Sequence, residues 1–156
     1  MPYVIGADEV GTGCWAGPVY ICAVAAPEGW TLKGLRDSKR LTKRARESLV
    51  ERIRKAPSVY AFLLGVCVED IDEHGVRSVT EAGFELVVRH LRHRMENLER
   101  EVSDVVVDGN MDIPGARSLV KAEDQIPAVA AASVVAKVLR DNLMGTMGTK
   151  HPGYGS

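Results

Sequence analysis

The chain has 156 residues, of which 46% are hydrophobic and 26% charged, and its formal net charge is −1. This length suits one domain with a hydrophobic core, and the composition excludes an intrinsically disordered chain. No apolar run approaches the roughly 20 residues that a membrane-spanning helix needs, and the first residues lack the features of a signal peptide. We therefore expect a single domain over residues 1–156, located in the cytoplasm and without a membrane partner.

The distribution of charge is more informative than its sum. A nearly neutral chain is not typical of a simple nucleic-acid-binding protein, which carries an excess of basic residues. Residues 33–55 and 89–94 nevertheless form two basic clusters, so the balance of charge does not exclude a nucleic-acid partner. The three cysteines show no CxxC or CxxH spacing, which indicates reduced thiols rather than a zinc site or a disulfide framework.

The first half of the chain alternates apolar runs with one amphipathic segment. Residues 3–8 and 18–26 predict two strands joined by a glycine-rich turn. An apolar stripe of helical spacing then follows Thr42, a plausible N-cap, and ends before Pro57. Residues 59–68 predict a third strand.

The second half begins with a long amphipathic helix, predicted over residues 84–98 by apolar positions at i, i+3, i+4 and i+7. Residues 104–108 predict a short buried strand, and the glycines and proline of 109–116 indicate a loop. Residues 118–124 fit another short strand ending on acids. An alanine-rich helix is predicted to start at Pro127, a favourable first helical position.

This order of elements predicts an α/β fold. Three apolar runs lie in the first 68 residues with only one helix among them, which favours a mixed sheet that begins with antiparallel strands and is flanked by helices. We find no internal repeat and no linker, so no domain boundary is placed.

Five acids fall at or near the ends of apolar runs: Asp8, Glu9, Asp108, Glu123 and Asp124. Because neighbouring strands lie about 5 Å apart, carboxylates at several strand ends can converge on one point. Their mutual repulsion would be relieved by a divalent cation, and all-oxygen ligands suit Mg²⁺ or Mn²⁺. The alternative is that each acid is a turn residue or half of a surface ion pair.

The alanine-rich helix carries a polar stripe, since Ser133, Lys137 and Asp141 follow one another at intervals of four residues. Lys137 and Asp141 can form an ordinary helical ion pair. The stripe can equally border a charged site. The residues alone leave both interpretations open.

Several segments, in chain order, resemble motifs of one known family, the type 2 ribonucleases H. They are GADEVGTGCWAGPV from Gly6, LRDSKRLT from Leu35, VVVDGN from Val105, IPAVAAASVVAKVLRDNLM from Ile126 and HPGYGS from His151. The resemblance implies an RNase H-like fold. It also implies cleavage of the RNA strand of RNA–DNA hybrids, or cleavage at single ribonucleotides embedded in duplex DNA.

The resemblance further implies the chemistry. Asp8, Glu9 and Asp108 would be catalytic metal ligands, with Glu123 or Asp124 as the fourth acid, and the spacing to Pro127 favours Glu123. Two cations would promote attack of water on a phosphodiester, one activating the water and one stabilising the leaving oxygen, to leave 5′-phosphate and 3′-hydroxyl ends.

Substrate contacts are implied in the same way. Backbone amides of the glycine turn would approach the 2′-hydroxyl, and polar side chains would hold phosphates. The residues expected to bind substrate are Gly11, Thr12, Gly13, Ser38, Lys39, Ser133, Lys137 and Tyr154. We expect a monomer that lacks the family's usual C-terminal extension, since the chain ends at Ser156 before a second Gly-Tyr motif.

Two other functions stay open on the sequence. A structure-specific nuclease of the wider RNase H-like class would cut junction or flap DNA and would not require a ribonucleotide. A catalytically impaired hybrid-binding module would bind without turnover. A requirement for an embedded ribonucleotide separates the first from the leading hypothesis, and turnover in Mn²⁺ excludes the second.

Overall fold

A computed structural model describes residues 1–11, 19–36, 38–66 and 75–150, with side chains up to residue 142. Within these ranges the chain forms five strands and three long helices. The strands are β1 (Tyr3–Val10), β2 (Val19–Pro27), β3 (Tyr60–Val66), β4 (Val102–Asp108) and β5 (Arg117–Leu119). The helices are α1 (Lys43–Lys55), α2 (Val76–Asn97) and α3 (Pro127–Lys150), and 3-10 turns form at Ser38–Arg40 and Ala122–Asp124.

The strands form one mixed sheet in the order β3-β2-β1-β4-β5. β1 pairs antiparallel with β2, which pairs antiparallel with β3. On its other edge β1 pairs parallel with β4, and β4 pairs parallel with β5. The predicted mixed sheet with an antiparallel start is therefore confirmed.

Helices cover both faces of this sheet. The apolar stripe of α2, including Phe84, Val87 and Leu91, packs with Ile5 and Ile21 in one buried cluster. On the opposite face α1 and α3 share a second cluster, which includes the alanines of α3. Small alanine side chains let α3 lie close to the central strands, so this helix carries its polar stripe directly past the end of β1.

Gly6 in the middle of β1 shows how close the approach is. A Cβ at this position would lie 2.3 Å from the backbone nitrogen of Val129 in α3, a distance that no side chain tolerates. Glycine is therefore required for the contact. Since side chains two residues apart share a face of a strand, Asp8 lies on the same α3-facing side as Gly6.

Most predicted boundaries agree with the structure to within two residues. Thr42 caps α1 by accepting a hydrogen bond from the Ala45 amide at 3.2 Å, as predicted. The long helix starts earlier than the apolar stripe predicts, because α2 begins at Val76. The first turns of α2 carry few residues of the apolar stripe. Local contacts stabilise them, including an Arg77–Glu81 ion pair at 3.1 Å.

Two expectations about strand ends are wrong. β1 does not stop at Asp8, because the ladder with β2 continues through Glu9↔Ile21 and Val10↔Tyr20. The acids near residue 123 do not end a strand, since β5 covers only Arg117–Leu119 and the acids lie in the following 3-10 turn.

Two further observations concern the expectations drawn from composition. Cys22 is a buried free thiol whose pKa is raised by burial and then by the nearby Asp8, while Cys14 and Cys67 lie outside the described residues. Among the helices that the structure describes, none has both the length and the apolar character needed to cross a membrane.

Candidate active site

Three carboxylates meet at one edge of the sheet. Asp8 of β1 and Asp108 at the end of β4 lie on neighbouring parallel strands, one residue beyond the paired positions Ala7 and Val107. Glu123 reaches the same point from the 3-10 turn after β5. One oxygen from each of Asp8, Asp108 and Glu123 lies within 4.8 Å of the other two, the only such group of three found among the described residues. We call these residues the acid cluster.

The backbone around β5 brings Glu123 into the acid cluster. The amide of Ala122 donates to Asp108 Oδ1 at 2.9 Å, which fixes the 3-10 turn against the end of β4. Lys121, just before the turn, adopts a left-handed conformation with φ of 59°, an uncommon geometry for a residue with a side chain. The turn that carries Glu123 is therefore held in place by a hydrogen bond to Asp108, another acid of the cluster.

Burial and mutual repulsion make the acid cluster retain protons. Asp8 is only 6% exposed. Its Oδ1 accepts from the Glu9 amide at 2.8 Å, and its carboxyl is also hydrogen-bonded to Ser133. These bonds are outweighed by burial and by the charge of Asp108, which together raise the pKa of Asp8 to about 8. Burial and then the hydrogen bond with Glu123 raise the pKa of Asp108 to about 6.

Glu123 is the charged member of the cluster. Burial opposes its ionisation, but hydrogen bonds from Lys39 and Asp108 outweigh burial and lower its pKa. Its Oε1 forms an ion pair with the Lys39 ammonium. Its Oε2 is buried and has no hydrogen-bond partner in the described part of the chain.

This arrangement fits a divalent cation. A buried carboxylate oxygen without a donor costs free energy, and a cation bound to it removes that cost. The three acids supply hard oxygen ligands, which suit Mg²⁺ or Mn²⁺. The ammonium of Lys39 lies beside Glu123 and gives it a positively charged neighbour. A bound metal cation would do the same.

The alternatives for the fourth acid differ in burial. The Glu123 side chain is 13% exposed, whereas Asp124 is 52% exposed and lies 3.7 Å from Lys39 Nζ. Asp124 is not a member of the acid cluster. Glu9, the residue after Asp8 in β1, is not a member of the cluster either.

A pocket of about 250 Å³ adjoins the acid cluster. Its lining brings together four residues expected to bind substrate, Ser38, Lys39, Ser133 and Lys137. Glu9 also lines this pocket. Segments far apart in the chain, the 3-10 turn before α1 and the polar stripe of α3, thus face one cavity. We call this cavity the cationic pocket.

Arg46 also lines the cationic pocket, and sequence reasoning missed it. It lies on α1, three and seven residues before the buried Leu49 and Ile53. A charged residue at that spacing shares their face of the helix. A charged residue within the apolar stripe of α1 is the sequence feature that could have identified Arg46.

The other predicted substrate residues are only partly described. Gly11 follows β1 directly and has φ of 103°, in the region that favours glycine. Thr12, Gly13 and Tyr154 lie outside the described residues. The predicted helical pair is present, with Lys137 Nζ 3.4 Å from Asp141 Oδ1.

Comparisons with known proteins point to one family. A family model described as Ribonuclease HII matches residues 5–156. A protein named ribonuclease HII from Jannaschia sp. (strain CCS1) is 38% identical over 156 residues, covering 97% of this chain and 74% of the relative.

Solved structures agree with that family. A ribonuclease H2 from Pyrococcus horikoshii OT3 superposes with a TM-score of 0.80 at 25% identity, covering 99% of this chain and 79% of that one. The ribonuclease HII in a PCNA complex from Archaeoglobus fulgidus gives 0.79 at 29% identity, with 98% and 80% covered. The predicted RNase H-like fold is confirmed by these neighbours.

Proposed function

The chain belongs to the ribonuclease HII family of metal-dependent endoribonucleases, and we propose that the acid cluster is its catalytic centre. We also propose that RNA–DNA hybrids are its substrate. In this proposal it cleaves the RNA strand of a hybrid, or a single ribonucleotide embedded in duplex DNA. The products carry 5′-phosphate and 3′-hydroxyl ends. The protein acts as a monomer in the cytoplasm.

One observation carries the proposal. Asp8, Asp108 and Glu123 place three carboxylates within 4.8 Å of one another, with a buried Glu123 oxygen that lacks a donor among the described residues. These residues would hold Mg²⁺ or Mn²⁺. When bound, the metal supplies an activated water and stabilises negative charge on the phosphate.

The remaining residues of the centre orient the acids. The Ser133 side chain and the Glu9 amide both bond to Asp8, so its carboxyl is held from two sides. The Ala122 amide donates one hydrogen bond to Asp108 and so orients that carboxyl. Because Asp8 retains a proton up to about pH 8 in the metal-free protein, that proton must leave before the carboxylate can act as a ligand. Glu9 lines the cationic pocket beside the centre.

The cationic pocket supports a substrate with phosphates. Lys39 and Lys137 supply positive charge and Ser38 supplies a hydroxyl donor next to the acid cluster, while Ser133 lines the same pocket and bonds to Asp8. Such contacts position a nucleic-acid backbone without reading its sequence. Gly11 lies directly after β1, and a backbone amide in this turn can approach a 2′-hydroxyl because glycine has no Cβ.

The test uses labelled duplexes with zero, one or four ribonucleotides, each in Mg²⁺ and in Mn²⁺. We expect cleavage only where a ribonucleotide is present, and a 5′-phosphate on the downstream fragment. Equal cleavage of the all-DNA duplex would instead identify a structure-specific DNA nuclease. Binding of the hybrid with no turnover in either metal would identify a binding module.

A further inference from the structure

Arg46 connects two elements that line the cationic pocket. Its Nη1 donates to the carbonyl oxygen of Leu41 at 2.6 Å, in the segment that follows the 3-10 turn Ser38–Arg40. Its Nη2 lies 3.4 Å from Asp141 Oδ2 on α3. The guanidinium is therefore bonded on one side to the segment that carries Lys39 and on the other side to the helix that carries Ser133.

Asp141 extends this connection to Lys137. One carboxylate oxygen of Asp141 faces Arg46 and the other lies 3.4 Å from Lys137 Nζ. Arg46, Asp141 and Lys137 thus form a continuous chain of charge-assisted contacts along the wall of the cationic pocket. Displacing Arg46 would release both the Leu41 carbonyl and the carboxylate that restrains Lys137.

The contacts of Arg46 leave one of its buried donors without a partner in the described part of the chain. The side chain of Arg46 is only 17% exposed, and its Nε is buried with no acceptor in the part of the chain that is described. A buried donor without a partner costs free energy. By contrast, Arg54 on the same helix is 67% exposed and pairs with Glu51 at 2.8 Å.

We propose that Arg46 is a positioning residue for substrate phosphate, which sets the separation between Lys39 and Lys137 across the cationic pocket. This inference rests on the proposed function. A planar guanidinium bonds two acceptors at once in a fixed geometry, which a lysine ammonium on a flexible stem does not do. The fork shape of Arg46, rather than its charge alone, is then what the substrate site requires.

The test compares Arg46→Lys and Arg46→Gln with the control Arg54→Gln. Both Arg46 variants are expected to raise KM for a hybrid about tenfold, the loss expected for one charge-assisted contact. kcat should stay within about twofold, because the acid cluster is unchanged. Arg54→Gln should leave both constants unchanged. A wild-type KM for Arg46→Lys would show that charge alone suffices and would overturn the inference.

A double-mutant cycle with Asp141→Asn tests whether the two residues act together. Each single change should raise KM, and the combination of Asp141→Asn with Arg46→Gln should be no worse than the more affected single variant. Additive effects would overturn the inference, because the residues would then act independently.

Two controls separate failure of this inference from other failures. Melting temperature and Mn²⁺ affinity of each variant show whether the fold and the acid cluster survive, and Arg46→Lys keeps the test usable if Arg46→Gln does not fold. If the wild-type chain cleaves hybrids and the Arg46 variants match Arg54→Gln, only the positioning role fails. If the wild-type chain does not cleave hybrids, the proposed function fails first.

Discussion

The acid cluster and the cationic pocket lie side by side but are built in different ways. The acids Asp8 and Asp108 are attached to adjacent strands, and the parallel register of β1 and β4 fixes their separation. The cations of the pocket come from a 3-10 turn and from helices, and ion pairs such as Arg46–Asp141 hold them. Backbone pairing positions the first group, and side-chain contacts position the second.

This difference has a physical reason. Like charges brought together need a rigid support, because each buried carboxylate gains free energy by moving away or by taking up a proton. Sheet hydrogen bonds supply that support. Cations that bind a substrate backbone position the substrate and do not carry the chemistry. We therefore expect changes in the acid cluster to affect turnover and changes in the cationic pocket to affect affinity.

The largest effect should come from the most buried acid. Asp8→Asn is expected to lower kcat by about a thousandfold, since metal catalysis supplies several kcal/mol of transition-state stabilisation. The control is Asp104→Asn, which changes an acid of β4 that pairs with Arg117 at 2.9 Å. Asp104→Asn should cleave hybrids at the wild-type rate. Equal cleavage rates for Asp8→Asn and Asp104→Asn would contradict the assignment of Asp8 to the catalytic centre.

The next effect distinguishes the two adjacent acids of the 3-10 turn. Glu123→Gln should lower kcat by about a hundredfold because it removes one of three carboxylates, whereas Asp124→Asn should change it by less than about twofold because Asp124 lies outside the cluster. Steady-state cleavage of a four-ribonucleotide duplex measures both. The reverse order would assign the fourth acid to Asp124.

Lys39 lines the cationic pocket and pairs with Glu123 of the acid cluster, so its removal should affect the two regions in opposite directions. In Lys39→Met, loss of the ammonium beside Glu123 should tighten Mn²⁺ binding about threefold, the scale of an exposed ion pair. The same change should raise KM for hybrid about tenfold. Lys43→Met, which alters an exposed lysine at the start of α1, serves as the control. If metal and hybrid affinities both fall, Lys39 does not neutralise Glu123.

The last prediction concerns stability without metal rather than turnover or affinity. The pKa of Asp8 is raised to about 8 in the folded chain from an ordinary value of 3.8. The folded state therefore holds the proton more tightly, and stability is lost as pH rises from about 4 to about 8. Asp8→Asn should remove this loss and raise the melting temperature at pH 8 more than at pH 5, by about 2–4 °C per kcal/mol. An equal change at both pH values would contradict the raised pKa.

The sequence predicts much of this molecule because its signals are local. Apolar runs and caps such as Thr42 specify the elements, and the acids Asp8, near the end of β1, and Asp108, at the end of β4, follow from the same pattern. The start of α2 was missed because helical pairs, rather than an apolar stripe, stabilise its first turns. The end of β1 was missed because pairing with β2 extends the strand through Glu9 and Val10.

The site is less predictable where it depends on contacts between distant segments. Spacing to Pro127 favoured Glu123, and the structure places Glu123 rather than Asp124 in the acid cluster. Arg46 was missed because its partner Asp141 is 95 residues away in sequence. No periodicity within α1 reveals such a partner. A charge within an apolar stripe indicates only that some partner must exist.

Direct titration of Mn²⁺ into the metal-free protein tests the central claim, that the acid cluster is the metal centre. Isothermal titration calorimetry should be run on the wild-type chain, on Asp108→Asn and on the control Asp104→Asn. We predict that Asp104→Asn binds Mn²⁺ like the wild type and that Asp108→Asn loses at least about tenfold in affinity, as expected when a ligand is removed. Wild-type Mn²⁺ affinity in Asp108→Asn would contradict the account.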